Sequence, residues 1–248
     1  MVKTIIASLS ILSLLLCCKK PEALPVAYTA LPTDSVITDT AKLPDTAIVR
    51  TYLALGDSYT IGQSVPEADR YPVQLAAQLN SENIKFKQPE IIAQSGWTTG
   101  NLLARLASDP PKKSSYDMVT LLIGVNNQYR QRTQDEYRHE FTSLLTKAIQ
   151  YAGNNNKMVF VLSIPDYSVT PFASGSNRAL ISTQIDSFNA INKSISLLYK
   201  VNYLDITGFT RLAASNPSLL ASDGLHPSGI EYEVWVNNLI PMLRAVLQ

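Results

Sequence analysis

Three side chains in this sequence have the types needed for nucleophilic chemistry: Ser58, Asp223 and His226. Ser58 follows directly on an apolar run, Thr51 to Leu55, in the turn Gly56-Asp57-Ser58. A serine hydroxyl is a weak nucleophile until a base takes its proton. The chain offers two histidines. His139 lies in the charged stretch Glu136 to Glu140 and reads as a solvated helix residue. His226 lies in Asp223-Gly224-Leu225-His226-Pro227. An aspartate three residues before a histidine can share one face of a helical turn with it. The carboxylate then fixes the imidazole tautomer and leaves the second ring nitrogen for Ser58. Each piece also has a plainer reading. Ser58 suits a helix N-cap, Asp223-Gly224 a simple turn, and His226-Pro227 the entry to a last helix. Asp166, in Ile164-Pro165-Asp166-Tyr167, is a rival acid by position.

What would bring residues 58 and 226 together is the sheet. Five short apolar runs are predicted as strands: Thr51 to Leu55, Glu90 to Ala93, Met118 to Ile123, Lys157 to Ser163 and Val201 to Asp205. They are nearly continuous in apolar character, as parallel strands covered on both faces are. Helical periodicity alternates with them over Pro72 to Leu79, Thr99 to Leu106, Gln134 to Ala152 and Arg178 to Tyr199. A final helix carries Tyr232, Trp235, Val236, Leu239, Ile240 and Leu243, with Pro241 expected to kink it. The alternation predicts an α/β fold: a five-stranded parallel sheet between two helical layers, in the flavodoxin-like order 2-1-3-4-5. That order puts the switch point beside strand 1, where ligands bind and where Ser58 sits. A helix after strand 1 would also aim its positive end at the site.

Four blocks follow strand ends in order: Gly56-Asp57-Ser58, Ser95-Gly96-Trp97, Gly124-Val125-Asn126-Asn127 and Asp223-Gly224-Leu225-His226. Together they resemble the SGNH (GDSL) hydrolase family, over residues 49 to 248. The resemblance implies a serine ester hydrolase with the three-layer SGNH fold and no metal or organic cofactor. It implies Ser58 as nucleophile, His226 as general base and Asp223 as its orienting partner. It also implies an oxyanion hole from the backbone N–H groups of Ser58 and Gly96 and the side-chain amide of Asn126. Gly96 would let the backbone approach the substrate closely. Two positions depart from the family pattern: Asn127 stands where aspartate is usual, and Tyr59 where leucine is common. The Gly-x-Ser-x-Gly elbow of α/β-hydrolases is absent. Trp97 could line an acyl pocket or pack under its loop. The implied substrates are acyl or acetyl esters of small molecules, lipids such as lysophospholipids, or polysaccharides. A non-catalytic glycan- or lipid-binding lipoprotein and an acyltransferase are the alternatives.

The ends and the totals bound the rest. Lys3 precedes an apolar run, Ile5 to Leu16, that is too short to span a bilayer and ends in Cys17-Cys18-Lys19-Lys20. This resembles a lipoprotein signal over 1–18, with Cys18 the expected lipidation site and Cys17 the alternative. Residues 19–48 carry Pro21, Pro25, Pro32 and Pro44 without apolar periodicity and read as a tether. Residues 49–248 are the expected domain. A lipid-anchored position in a bacterial cell envelope follows, with that anchor as the expected membrane contact. Both cysteines precede the domain, so it contains neither a disulfide nor a cysteine–histidine metal cluster. The net charge of +1, with no long basic run, gives no basis for nucleic-acid binding.

Overall fold

The chain from Tyr52 to Gly56 is all apolar or glycine, and it forms the central strand β1 of a sheet. A computed structural model describes residues 48–247. The expected lipoprotein signal, Cys17 and Cys18, and nearly all of the tether lie outside the described residues.

Five parallel strands, β1 (Tyr52–Gly56), β2 (Glu90–Ala93), β3 (Met118–Leu122), β4 (Val159–Leu162) and β5 (Asn202–Leu204), run in the order β2-β1-β3-β4-β5. This is the expected topology. β1, β3 and β4 are buried along their whole length, which is why they read as unbroken apolar runs. Strand bounds moved by a residue or two. Lys157 and Met158, expected in β4, belong to a short 3-10 turn over Asn156–Met158 that leads into the strand.

Among the described residues, eight helices connect and cover the sheet: α1 (Ser58–Ile61), α2 (Tyr71–Ser81), α3 (Thr99–Ser108), α4 (Val125–Tyr129), α5 (Gln134–Tyr151), α6 (Arg178–Leu198), α7 (Thr207–Arg211) and α8 (Gly229–Leu247). α2 packs on α8, while α3, α5 and α6 pack in a row. The helix expected after strand 1 is the single turn α1, whereas the short α4 and α7 were not expected, because an element of five residues shows no periodicity. α8 continues through Pro241 as one helix. Proline removes a donor from the carbonyl four residues back, and that residue, Asn237, is exposed, so water can take its place.

The core contains a polar seam that ties α8 to the elements around β1. The buried hydroxyls of Tyr52 and Tyr71 both meet Thr120 Oγ1, at 2.9 and 3.1 Å. Tyr71 packs on Tyr232 and Trp235 of α8. Tyr232 Oη donates to the carbonyl of Tyr59 at 2.9 Å, joining α8 directly to α1. Gln74 of α2 donates to the carbonyl of Gly229 at 3.0 Å. α1, which follows β1, is thus joined to α8 by a buried hydrogen bond, and α2 is joined to the start of α8 by a half-buried one. Among the described residues, no helix is long and apolar enough to cross a membrane.

Candidate active site

The turn after β1 is built by Asp57 and Gly56. Asp57 Oδ1 accepts the N–H of Tyr59 at 3.0 Å and caps α1, so Ser58 becomes its first residue, 5% exposed. A side chain at position 56 has no room, because a Cβ there would lie 2.4 Å from the Leu122 carbonyl oxygen. Asp57 is wholly buried and its Oδ2 has no hydrogen-bond partner. Burial pushes its carboxyl up to about 7, against the lowering pull of the Tyr59 N–H and the nearby Asn126 amide. α1 is a single turn, so the expected macrodipole is small, since that field sums over aligned peptide units. Individual N–H groups are what remain at this end.

Asp223 and His226 meet, by a different local geometry from the one expected. The segment is a tight turn, with Gly224 at φ +64°, rather than a helical turn. Asp223 Oδ1 accepts the N–H groups of Leu225 at 3.0 Å and His226 at 2.9 Å. Its Oδ2 pairs with His226 Nδ1 at 2.7 Å and accepts the Ser64 hydroxyl at 2.7 Å. Partial burial raises this carboxyl, but the hydrogen bonds from Ser64, His226 and Leu225 outweigh it and hold it down at about 2. A carboxylate only accepts, so Nδ1 carries a proton, and in the neutral ring Nε2 is the nitrogen that keeps a lone pair. His226 is 4% exposed and its ring lies 5.0 Å from that of Tyr59.

Ser58 and His226 line one cavity of about 170 Å³, together with Gly96 and Asn126. All four residues of the expected constellation therefore open onto the same space. Among the described residues no hydrogen bond joins Ser58 Oγ to His226; such contacts are often long before substrate binds. Gly96 sits at φ +80°, a left-handed conformation that costs glycine little. Its loop is tied on both sides. Arg130 donates to the Gly96 carbonyl at 2.8 Å, and Ser95 donates to Gln63 Oε1. Asn126 Nδ2 is buried and meets no acceptor at hydrogen-bonding geometry, although it lies beside the Asp57 carboxyl.

The remaining residues sort plainly. Asp166 is turned away from His226. It accepts from Arg211 Nε at 2.9 Å, Ser182 Oγ at 2.7 Å and the Ser168 N–H at 2.9 Å. Burial raises its carboxyl, but these partners outweigh burial and leave it below its usual value. Trp97 does not line the cavity and packs against the core. His139 is exposed on α5. Asn127 is wholly buried and ties α4 to α3. It accepts the Thr99 N–H at 2.9 Å and donates to Thr99 Oγ1 at 2.6 Å.

Several residues of the cavity and its frame were missed by sequence reasoning. Ser64 and Arg130 lie outside the four blocks and carry no spacing signal. Tyr167 and Phe172, which complete the wall, come from two consecutive 3-10 turns after β4. The Pro165 and Pro171 that shape this segment were the one available hint. Among the described residues, no three His, Cys, Asp or Glu side chains are grouped to hold a metal ion.

The fold has close counterparts. TesA is similar at 20% identity, covering 79% of this chain and 99% of that one, with a TM-score of 0.59. Axe2, an acetylxylan esterase from Geobacillus stearothermophilus, is similar at 19% identity over 78% of this chain and 93% of its own, with a TM-score of 0.61. A lipase/acylhydrolase from Enterococcus faecalis is similar at 17% identity over 79% and 96%, with a TM-score of 0.60. The sequence matches no curated protein. The pattern of the GDSL-like lipase/acylhydrolase family matches residues 54–234, from within β1 into α8. Since that span holds all four blocks, the chain belongs to the GDSL-like lipase/acylhydrolase family and is a carboxylic ester hydrolase with the SGNH fold.

Proposed function

We propose that Ser58, His226 and Asp223 form a catalytic triad that hydrolyses acyl or acetyl esters. Ser58 Oγ attacks the ester carbonyl carbon while His226 Nε2 takes its proton. The carbonyl oxygen becomes an oxyanion, bonded by the N–H groups of Ser58 and Gly96 and by Asn126 Nδ2. The intermediate collapses, the alkoxide leaves with the proton from His226, and an acyl-serine remains. Water then attacks, His226 takes its proton and returns it to Ser58 Oγ, and the acid departs. Asp223 stays ionised throughout and orients the ring.

The observation that carries this reading is the 2.7 Å bond from His226 Nδ1 to Asp223, which leaves the second ring nitrogen for a cavity that Ser58 also lines. The unpartnered Nδ2 of Asn126 supports the oxyanion role, since a buried donor without an acceptor suits charge that develops only in the transition state. At about 170 Å³ the cavity is below the ~300–1,000 Å³ of sites that bury larger ligands, which favours a short acyl group. The acetyl group of Axe2's acetylxylan is one of that size. Lysophospholipid-type esters and acetylated carbohydrates are the two substrate classes considered.

The test is a panel of p-nitrophenyl esters of graded chain length, with fluorophosphonate labelling, on intact protein and Ser58→Ala. Turnover highest for acetate or butyrate, and labelling lost with Ser58, is the expected result. Intact protein that neither turns over nor labels would make it a binding lipoprotein. Products transferred to added alcohols would make it an acyltransferase. The same reading puts the protein on a bacterial envelope membrane through a lipid on Cys18, or on Cys17. Mass spectrometry of the mature N-terminus should find the added acyl mass there.

A further inference from the structure

One wall of the cavity is a triangle of rings. Tyr129, Tyr167 and Phe172 lie with centroids 6.0 to 6.2 Å apart. Tyr129 is 55% exposed and Phe172 48%. Aromatic faces left in water beside a reactive serine are a surface for a ligand with an apolar face.

Behind Tyr129 and Tyr167 lies a second cleft of about 380 Å³, which those two residues share with the cavity at Ser58. Its polar lining is four carboxamides, Gln128, Gln131, Asn177 and Gln184, with the Ser176 hydroxyl, and Leu180 and Ile181 complete the wall. No Lys, Arg, Asp or Glu lines it. Of the arginines nearest in sequence, Arg130 and Arg178 are turned to the main-chain carbonyls of Gly96 and Thr170, and Arg132 lies 3.8 Å from the Glu136 carboxylate. Gln128 is 5% exposed and donates to Gln184 Oε1 at 2.7 Å. Its own Oε1 is buried and meets no donor at hydrogen-bonding geometry, although the amide lies alongside the Tyr167 hydroxyl. The Gln128–Gln184 pair therefore holds a buried amide oxygen with spare accepting capacity beside the cleft.

The chemistry of this surface selects its ligand. Carboxamides both donate and accept, as a row of hydroxyl groups requires. They cannot neutralise a phosphate or carboxylate, whose recognition draws on arginine or lysine. An acyl chain would leave the amides unsatisfied. A pyranose ring presents hydroxyls at its edge and an apolar face for stacking on tyrosine.

We propose that this cleft is a neutral-saccharide subsite, which holds the sugar next to the ester-bearing one while its acyl group enters the cavity at Ser58. The substrate is then an O-acylated glycan. This rests on the ester-hydrolase reading above and names the substrate class for it.

Two measurements test it. Uncharged oligosaccharides of β-linked xylose or glucose, without acyl groups, are titrated by calorimetry into Ser58→Ala protein. Binding that strengthens from one sugar unit to four is expected, and it should weaken about tenfold in Gln184→Leu. The exposed Gln131→Gly is the second variant, since position 131 stands at φ +55°, which glycine adopts without strain, and it should weaken binding in the same direction. With wild-type protein, kcat/KM for singly acetylated oligosaccharides should rise about tenfold from one unit to four, through KM. That rise should flatten in both variants. No binding at any length, rates independent of length, or a preference for lysophosphatidylcholine micelles would overturn the subsite. Failure of the parent reading looks different: no ester of any kind, p-nitrophenyl acetate included, is turned over, while saccharide binding to Ser58→Ala is still measurable.

Discussion

Asp223 Oδ2 accepts hydrogen bonds from His226 Nδ1 and from Ser64 Oγ, each at 2.7 Å. The acid beside the imidazole is therefore anchored from outside its own turn, by a residue in the loop that follows α1. Ser64 itself stands at φ +68°, a conformation a serine adopts only when its surroundings hold it there. The loop after α1 and the turn carrying His226 are joined through one carboxylate oxygen.

The first prediction compares the two acids. Asp223→Asn removes an acceptor that fixes the imidazole tautomer, and kcat should fall about 10³–10⁴-fold with KM little changed. Asp166→Asn should cost less than about tenfold in kcat, because its carboxylate serves Arg211, Ser182 and Ser168 rather than His226. Its penalty should appear as a lower Tm, since the Arg211 pair is half-buried. Steady-state kinetics and thermal melts of both variants decide it; a kcat loss at Asp166 equal to that at Asp223 reverses the assignment.

The sheet was legible in the sequence because its middle strands are buried on both faces, so β1, β3 and β4 stand out as apolar blocks. The four blocks were legible because each lies at the carboxyl end of a strand or in the terminal turn. The second ring of contacts was not. Ser64, Arg130 and Tyr232 act through single hydrogen bonds to Asp223, Gly96 and Tyr59. Such bonds depend on packing between segments far apart in the chain and leave no periodicity. Asp57 reads as an ordinary capping residue, and its complete burial follows only from the sheet closing over it.

Asn126 separates catalysis from stability. Its Nδ2 is buried and without an acceptor in the resting protein, so Asn126→Ala removes no native hydrogen bond of that group. The Tm should change little where Asp57 is protonated and fall slightly above about pH 7, where its ionised carboxyl loses the nearby amide. The kcat should drop about 10²–10³-fold, the usual cost of losing one oxyanion donor. A fall in Tm with kcat preserved would show that this amide serves the fold instead.

Asp57 should give the protein a pH-dependent stability near neutrality. Its folded carboxyl is raised to about 7 from an ordinary value of 3.8. Between those values the folded state holds a proton that the unfolded chain has released. Stability from this group is full below the lower value and is lost as pH rises through the upper one. Asp57→Asn keeps a side-chain oxygen for the Tyr59 N–H and cannot ionise. Its Tm advantage over wild type should therefore grow from about pH 5 to about pH 8, read from melts across that range. A Tm difference independent of pH would mean that Asp57 does not titrate there.

Asn127 stands where the family usually has aspartate, and its surroundings explain why asparagine works here. Thr99 Oγ1 accepts from Asn127 Nδ2 at 2.6 Å and donates to Glu140 Oε2. The hydroxyl has one proton, and Glu140 takes it. With Asn127→Asp, a second carboxylate would face the same oxygen in a buried position, with no proton left to receive. The expected loss is about 1–3 kcal/mol of stability at neutral pH. It should shrink on acidification, as one of the two carboxylates takes up the missing proton. Adding Glu140→Gln should restore much of the loss, because the Thr99 hydroxyl could then turn to the new acid while the neutral amide makes no repulsion. A double-mutant cycle of Tm and denaturant midpoints measures that coupling. Additive effects would show that positions 127 and 140 do not compete for one proton and that the asparagine is tolerated for some other reason.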